Sequence, residues 1–156
     1  MKIAVAVFAL LFLAGLAFAA SAPANFSGNW AFDPAQSKNV GMMAQGKIHT
    51  TVIQTKGAIV VDDNSEFNGQ KDTQHTVYDL TGKPITNTSM MARQATTRSH
   101  WEGARLITDW ENPGAIAGTM AKRTEMRYLS PDGKTMYVES ARSGKDPMVI
   151  VFTRDK

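Results

Sequence analysis

Beyond Asp33 the chain alternates apolar and polar residues in short segments, and no segment of helical length has apolar residues at a 3.6-residue period. The segments are rich in Thr, Val, Ile, Tyr and Trp and are separated by breaks that contain Gly, which is typical of β-strands. One segment, DPAQSKN, is compatible with a helix or a turn, because Asp33 can cap it and Pro34 suits the first helical position. The pattern predicts ten strands, over residues 27–32, 47–55, 58–65, 72–80, 85–89, 95–102, 104–111, 119–129, 135–142 and 147–154.

The predicted connections are of two alternating kinds. Tight turns that contain the Gly favoured at positive φ alternate with longer loops. In an up-and-down meander, alternate connections lie at opposite ends. We therefore predict an all-β fold, an antiparallel up-and-down meander barrel of about eight to ten strands with one closed and one open end. The tight turns are 55–58, 81–84, 102–103 and 130–135, and the longer loops are 33–46, 66–71, 90–94, 112–118 and 143–146.

The N-terminus carries an uncharged apolar run, IAVAVFALLFLAGLAFAA, directly after Lys2. A basic residue, an apolar stretch and small residues at Ala17 and Ala19 are typical of a secretory signal peptide. The alternative is a membrane anchor, but the run ends in Gly, Ala and Ser and lacks a basic stop-transfer cluster. We expect a signal peptide over 1–19, a short segment over 20–25, one domain over 26–156, and no membrane span after cleavage.

The charge and the cysteine content limit which cellular compartment and which binding partners fit the sequence. The formal net charge is only +3 and no basic tract occurs, so the sequence does not indicate a nucleic-acid partner. Because the chain has no Cys, a lipid-modified cysteine is excluded and stability must come from the core, which a domain of this length can supply. We expect a periplasmic or secreted protein, and a bacterial periplasm suits it better than an extracellular disulfide-stapled module does.

The first predicted strand places a large aromatic residue, Trp30, at the end with tight turns, and the last strand finishes at the same end. We expect Arg154 to stack over the indole, a contact favourable by about 0.5–2 kcal/mol. Trp30 and Arg154 would then form a structural plug at the closed end of the barrel.

Two motifs resemble those of a known family: F-S-G-x-W followed by D-P-x-x-S-K within Phe26–Lys38, and S-P-D-G-K at Ser130–Lys134. With the meander and the near-terminal Arg154, they make the chain similar to the calycin barrels, and within these to the small exported lipocalin-like proteins of bacteria. The resemblance implies that Trp30 and Arg154 are structural residues and not ligand contacts. Ten predicted strands and the lack of a disulfide depart from lipocalins proper, and the strand count leans toward the fatty-acid-binding proteins.

Strand alternation separates inward from outward side chains wherever charges mark the outer face. On the strand 119–129 this rule directs Arg123, Glu125 and Arg127 outward. The predicted interior contains many hydroxyls, although an unpaired buried hydroxyl costs about 1–3 kcal/mol and a merely filled core favours aliphatic residues. The alternative is cross-strand Thr pairing on a surface face whose direction is misassigned. We expect a ligand cavity lined by Trp110, Trp101, Tyr78, Tyr128, Met126, Met136, Thr97, Thr108 and Thr124, with Trp110 near the open mouth and Trp101 near the closed end.

Motifs for catalysis are absent from the sequence: it has no G-x-S-x-G elbow, no phosphate loop, no H-E-x-x-H and no cysteine nucleophile. Asp62 and Asp63 are adjacent on a strand, so they face opposite ways and form no paired acid–base site. We therefore expect no enzyme and no cofactor. We also predict no metal site, because the three His residues lie on different strands and on the predicted outer face: His49, His75 and His100.

Two functions from different classes fit these observations. The first is a non-enzymatic exported protein that holds a small amphipathic or hydrophobic ligand in the barrel, and the second is a filled barrel that acts as an envelope interaction or accessory domain without a ligand. Two Met pairs, 42–43 and 90–91, fall in the longer loops. Gap filling explains them best, with a flexible apolar rim or soft-metal capture as alternatives.

Overall fold

The computed structural model describes residues 22–88, 94–142 and 144–155, which form a single sheet of ten antiparallel strands. The predicted all-β meander barrel is confirmed, with ten strands where about eight to ten are expected. The predicted signal peptide over 1–19 lies outside the described residues. The strands are β1 Gly28–Phe32, β2 Lys47–Gln54, β3 Ala58–Phe67, β4 Gln70–Asp79, β5 Ile85–Thr88, β6 Gln94–Glu102, β7 Arg105–Pro113, β8 Met120–Leu129, β9 Thr135–Arg142 and β10 Lys145–Arg154.

Burial alternates along the strands with the period of two that a sheet with one face on a core requires. In β6 the residues Ala95, Thr97 and Ser99 are buried while their neighbours in sequence are exposed. The sheet order is β4-β3-β2-β1-β10-β9-β8-β7-β6-β5, so the first strand pairs with the last. This pairing rolls the sheet into a nearly closed barrel whose only edges, within the described residues, are β4 and β5.

A buried asparagine bridges the two edge strands where the backbone ladder stops. The side-chain Oδ1 of Asn87 on β5 accepts a hydrogen bond from the backbone N–H of Val77 on β4 at 3.0 Å, and its Nδ2 donates to the Val77 carbonyl at 2.8 Å. The same Nδ2 lies 2.8 Å from the Thr97 hydroxyl on β6. The amide of Asn87 therefore supplies the donor and acceptor that a paired strand supplies elsewhere in the sheet.

One end of the barrel is filled by Trp30, which is fully buried and stands opposite Arg154 in the β1–β10 pairing. The Arg154 guanidinium lies 4.1 Å from the centroid of the indole and donates to the carbonyls of Ser27 and Gly133. Gly28 has a φ of 136°, and a Cβ there would come within 2.5 Å of Arg154 Nη1. The Gly in G-x-W is thus explained by the close approach of the arginine, and the stabilisation expected from the contact between Trp30 and Arg154 stays a prediction.

The connections differ from the predicted ones at two hairpins. β3 and β4 are joined by Asn68 and Gly69 alone, both at positive φ, so the loop predicted over 66–71 is in fact tight. β9 ends at Arg142 and β10 begins at Lys145, so the loop predicted over 143–146 falls partly within β10. Asn-Gly is the preferred pair for a two-residue hairpin, so the sequence did contain this signal. The segment DPAQSKN forms a turn held by Asp33, and a short 3-10 helix follows at Gly41–Gln45.

The bridge between the edge strands can be tested with Asn87→Ala. The change leaves the half-buried N–H and C=O of Val77 without partners, so we expect the free energy of unfolding to fall by about 1–3 kcal/mol in urea denaturation. The matched control is Asn64→Ala on the exposed outer face of β3, which should stay within about 0.5 kcal/mol of the wild type. Equal losses for the two variants would show that Asn87 does not hold the edges together.

Candidate functional site

A cavity of about 250 Å³ lies inside the barrel. Its volume falls just below the range of about 300–1,000 Å³ found for small-molecule pockets. One part of its wall is apolar and another carries charged and hydroxyl groups. The wall is formed by Met43, Ile48, Asp63, Ser65, Phe67, Asp72, Gln74, Thr76, Tyr78, Trp110, Arg123, Glu125, Arg127, Val138, Ser140, Met148, Ile150 and Phe152.

The polar part of the wall centres on an interior charged cluster, formed by Tyr78, Glu125 and Arg127. Nη2 of Arg127 lies 3.4 Å from Oε1 of Glu125, and the side chains are only 6% and 10% exposed. The Tyr78 hydroxyl donates to the same Oε1 at 3.0 Å and accepts from Arg127 Nη2 at 3.1 Å. Burial, reinforced by the Glu125 carboxylate, raises the pKa of Tyr78 well above its usual range, so the phenol keeps its proton.

A second carboxylate, Asp63 on β3, faces the same interior. Its Oδ1 accepts a hydrogen bond from the Thr50 hydroxyl on β2. Withdrawal from water raises the pKa of the Asp63 carboxyl, and the Thr50 bond and the Arg127 charge only partly oppose that shift. Asp62, its neighbour in sequence, points outward and lies 2.6 Å from Nδ1 of His75, so the two acids do face opposite ways.

Four buried polar groups have no hydrogen-bond partner among the described residues. All four belong to side chains of the cavity wall: Trp110 Nε1, Arg123 Nε, Arg127 Nε and Ser140 Oγ. The Arg123 guanidinium lies 4.2 Å from the centre of the Trp110 ring, a cation–π contact that leaves its N–H groups free to donate. Unsatisfied buried donors are rare and costly, and these four atoms are covered by other protein atoms, so the cavity itself does not reach them.

The predicted direction of the β8 side chains is wrong. Glu125 and Arg127 are buried inside the barrel, and Arg123 lines its cavity. On the opposite face, Thr124 is exposed and donates to Asp109. The hairpin from β8 to β9 fixes this: Leu129 stands opposite Met136, and directly opposed residues share a face. Because Met136 is inward, so are the odd-numbered residues of β8.

Met126 and Tyr128 lie on the outer face for the same reason. Met126 Sδ is close to the Arg105 guanidinium on the exposed side. Tyr128 stacks on Tyr137 with the ring centres 5.0 Å apart. The three β8 residues predicted to contact a ligand, Thr124, Met126 and Tyr128, therefore lie outside the cavity.

The remaining predicted ligand residues are divided between the cavity and the rest of the core. Tyr78 and Trp110 line the cavity, with their rings edge-on at 6.3 Å. Thr97 and Thr108 are buried but engaged, by Asn87 and Ser99 respectively. Met136 is fully buried beside Arg127. Trp101 stacks on Phe26, away from the cavity wall.

The histidines and methionines are distributed as follows. The three His residues pair with separate carboxylates on the surface, namely Asp155, Asp62 and Glu102. Within residues 22–88, 94–142 and 144–155, no group of three or more His and acidic residues is arranged to hold a metal ion. Met43 lines the cavity whereas Met42 is 80% exposed. The pair 90–91 lies outside the described residues.

Several solved structures resemble this chain. The REP1-NXSQ fatty acid transporter matches with a TM-score of 0.64 at 13% identity, over 83% of this chain and 96% of that one. Human cRBP IV matches at 0.62 and 17%, over 85% and 100%. Echinococcus granulosus fatty-acid-binding protein 1 matches at 0.64 and 13%, over 84% and 98%. The chain shares its fold with these proteins.

At sequence identities of 13–17%, the similarity to these structures shows a shared fold and nothing more. No protein-family model and no curated protein matches the chain in sequence. The ten strands agree with the strand count expected from the alternation of segments, and the calycin-like fold is confirmed. What the cavity holds must be argued from its own side chains.

The environment of Asp63 predicts a pH dependence of stability. A carboxyl whose pKa is raised above 3.8 by folding stabilises the protein at low pH, and this contribution is lost as the pH rises through the folded-state pKa. Asp63→Asn imitates the protonated form and still accepts the Thr50 bond. We expect its advantage over the wild type in urea unfolding to grow between about pH 4 and about pH 7.

The matched control for this measurement is Asp62→Asn, on the opposite face of the same strand. It removes the surface partner of His75 and should bring no gain in stability that grows with pH. If the difference in unfolding free energy between Asp63→Asn and the wild type were the same at both pH values, withdrawal from water would not raise the pKa of Asp63.

Proposed function

We propose that the protein is a non-enzymatic carrier or sequestering protein that holds a small hydrophobic or amphipathic ligand inside the barrel. The observation that carries the proposal is the interior cavity, which has charged and hydroxyl side chains on one part of its wall and apolar side chains on another. Such a wall suits a molecule that has an apolar body and a polar end. The alternative, a filled barrel that acts as an envelope interaction domain, gives no reason for a cavity with such a wall.

The names of the similar structures support a hydrophobic ligand. Two of them are named for fatty acids, as a transporter and as a binding protein, and a fourth match is named Caenorhabditis elegans lipid binding protein 8, with a TM-score of 0.63 and 11% identity. The barrel surrounds a cavity of about 250 Å³, slightly smaller than the usual small-molecule pocket. Among the described residues of its wall, no serine hydroxyl is hydrogen-bonded to a His or carboxylate that could act as a base. We therefore propose binding without catalysis.

We propose further that the protein is exported to the periplasm or secreted, on the strength of the apolar run and the Ala17-x-Ala19 site. The absence of Cys and the resemblance to exported lipocalin-like proteins support this proposal. In the described part of the chain no helix is both long and apolar enough to cross a membrane. The small net charge without a basic tract supports a small molecule, not a nucleic acid, as the partner.

Filling the cavity tests the proposed function. Val138 is buried and lines the cavity, and Tyr137, the residue before it, faces outward. We expect wild-type protein to bind the neutral fluorophore N-phenyl-naphthylamine, with quenching of Trp110 emission in a variant whose other Trp residues are Phe. Val138→Phe occupies the cavity and should weaken binding at least about tenfold, whereas Tyr137→Phe should leave binding unchanged.

Circular dichroism and urea unfolding establish that both variants are folded before binding is compared. The proposal fails if the wild type binds no fluorophore and iodide quenches Trp110 as freely as an exposed indole. It also fails if Val138→Phe and Tyr137→Phe bind equally well, because the fluorophore would then sit on the outer surface.

A further inference from the structure

The interior of the barrel is divided into a packed part and a part that contains the cavity. Six fully or almost fully buried side chains, all in the described part of the chain, lie outside the cavity wall and fill the barrel around the end with the tight turns. They are Phe26, Trp30, Val52, Ile59, Leu106 and Met136. The cavity wall, by contrast, extends to the exposed Asp72 near the β3–β4 hairpin, so the cavity opens at the opposite end.

The interior charged cluster separates the two parts. The Tyr78 hydroxyl reaches across the barrel from β4 to Glu125 and Arg127 on β8, at 3.0 and 3.1 Å, and all three side chains line the cavity. On the packed side, Met136 Sδ lies 3.7 Å from Arg127 Nη1, and Ile59 stands opposite Tyr78 in the β3–β4 pairing. The cluster is therefore the floor of the cavity, with the packed part of the core directly behind it.

The floor is fixed by the bonds within the cluster. Arg127 lies 3.4 Å from Glu125, and its guanidinium is 5.2 Å from the centre of the Tyr78 ring. If one of these side chains moved toward the packed core, a buried charge would lose its partner, which is costly. A ligand therefore gains no depth by displacing the cluster, and its buried part ends there.

The space above the floor limits how much of a ligand can be buried. A dry cavity of about 150 Å³ holds benzene with its six carbon atoms, so by proportion a cavity of about 250 Å³ holds about ten. The further carbons of a longer chain must remain in the open end of the barrel. Because they stay in contact with water there, they add little to the binding free energy.

We propose, on the basis of the proposed binding function, that the barrel is specific for compact ligands: it buries at most about ten non-hydrogen atoms, and the interior charged cluster sets this limit. An alkyl chain of medium length or a molecule with one or two small rings fills the space. A long-chain lipid gains nothing from its additional carbons. The apolar part of the ligand lies against the part of the wall that includes Ile48, Ile150 and Phe152.

The test uses the straight-chain alcohols from 1-butanol to 1-tetradecanol, which differ only in length. Each displaces N-phenyl-naphthylamine from wild-type protein, and the displacement is followed by fluorescence. The fluorophore exceeds the limit, so one part of it competes for the cavity while the rest projects into the open end. Burial of one CH₂ raises the affinity about fourfold. We expect this rise for each carbon up to about ten carbons and a plateau beyond that length.

Two identical substitutions on opposite sides of the floor test what sets the limit. Ile150→Ala frees the volume of about three carbon atoms in the cavity wall, so the plateau should move to about thirteen carbons. Ile59→Ala frees the same volume in the packed core beside Tyr78, where the ligand does not reach. This matched control should therefore keep the plateau of the wild type.

The outcomes separate this inference from the proposed function. Affinity that rises by the same factor up to 1-tetradecanol in the wild type overturns the inference while leaving the proposed function standing, and so does an equal shift of the plateau in the two variants. If neither the fluorophore nor any alcohol binds, the proposed function itself fails. Should Ile150→Ala not fold, Val138→Ala, also in the cavity wall, replaces it with an expected shift of about two carbons.

Discussion

The ion pair between Glu125 and Arg127 is the constraint on which the interior depends. Both side chains are nearly fully buried, and two charges removed from water are repaid only when they pair closely and their remaining groups are bonded. Tyr78 supplies part of that bonding, from the far side of the barrel. Charged groups of this size inside the barrel prevent aliphatic side chains from closing over the centre, and a cavity of about 250 Å³ remains.

The rest of the barrel keeps this arrangement in place. At one end Trp30 and Arg154 fill the barrel, and Gly28 leaves room for the guanidinium that covers the indole. At the open seam, Asn87 bonds both backbone groups of Val77, which is one residue from Tyr78. The position of Tyr78 relative to Glu125 therefore depends on the bridge between the two edge strands as well as on the continuous ladder.

The sequence predicts the fold well because the strand signal is repeated ten times and tight turns with Gly at positive φ, such as Gly82, Gly103 and Gly133, separate several of the strands. It predicts the cavity wall less well. Charged side chains usually face water, and this rule predicts that Glu125 and Arg127 point outward. The rule fails here because the two charges are buried as an ion pair. The register of the β8–β9 hairpin predicts their direction correctly. Met136 faces inward, so Glu125 and Arg127, which share its face through that register, must face inward too. The bonds of Asn87 to the backbone of Val77 follow from the closure of the barrel, which no local pattern encodes.

The central claim is that the interior charged cluster is kept for binding and not for stability. The most direct measurement is the urea unfolding free energy of the triple variant Tyr78→Phe, Glu125→Leu, Arg127→Met, compared with Glu125→Leu alone. The single change leaves the buried Arg127 charge without its partner and should lower the free energy of unfolding by about 3–5 kcal/mol. The triple variant should be at least as stable as the wild type. A triple variant that loses as much stability as the single variant would contradict the claim, because the cluster would then be holding the barrel together.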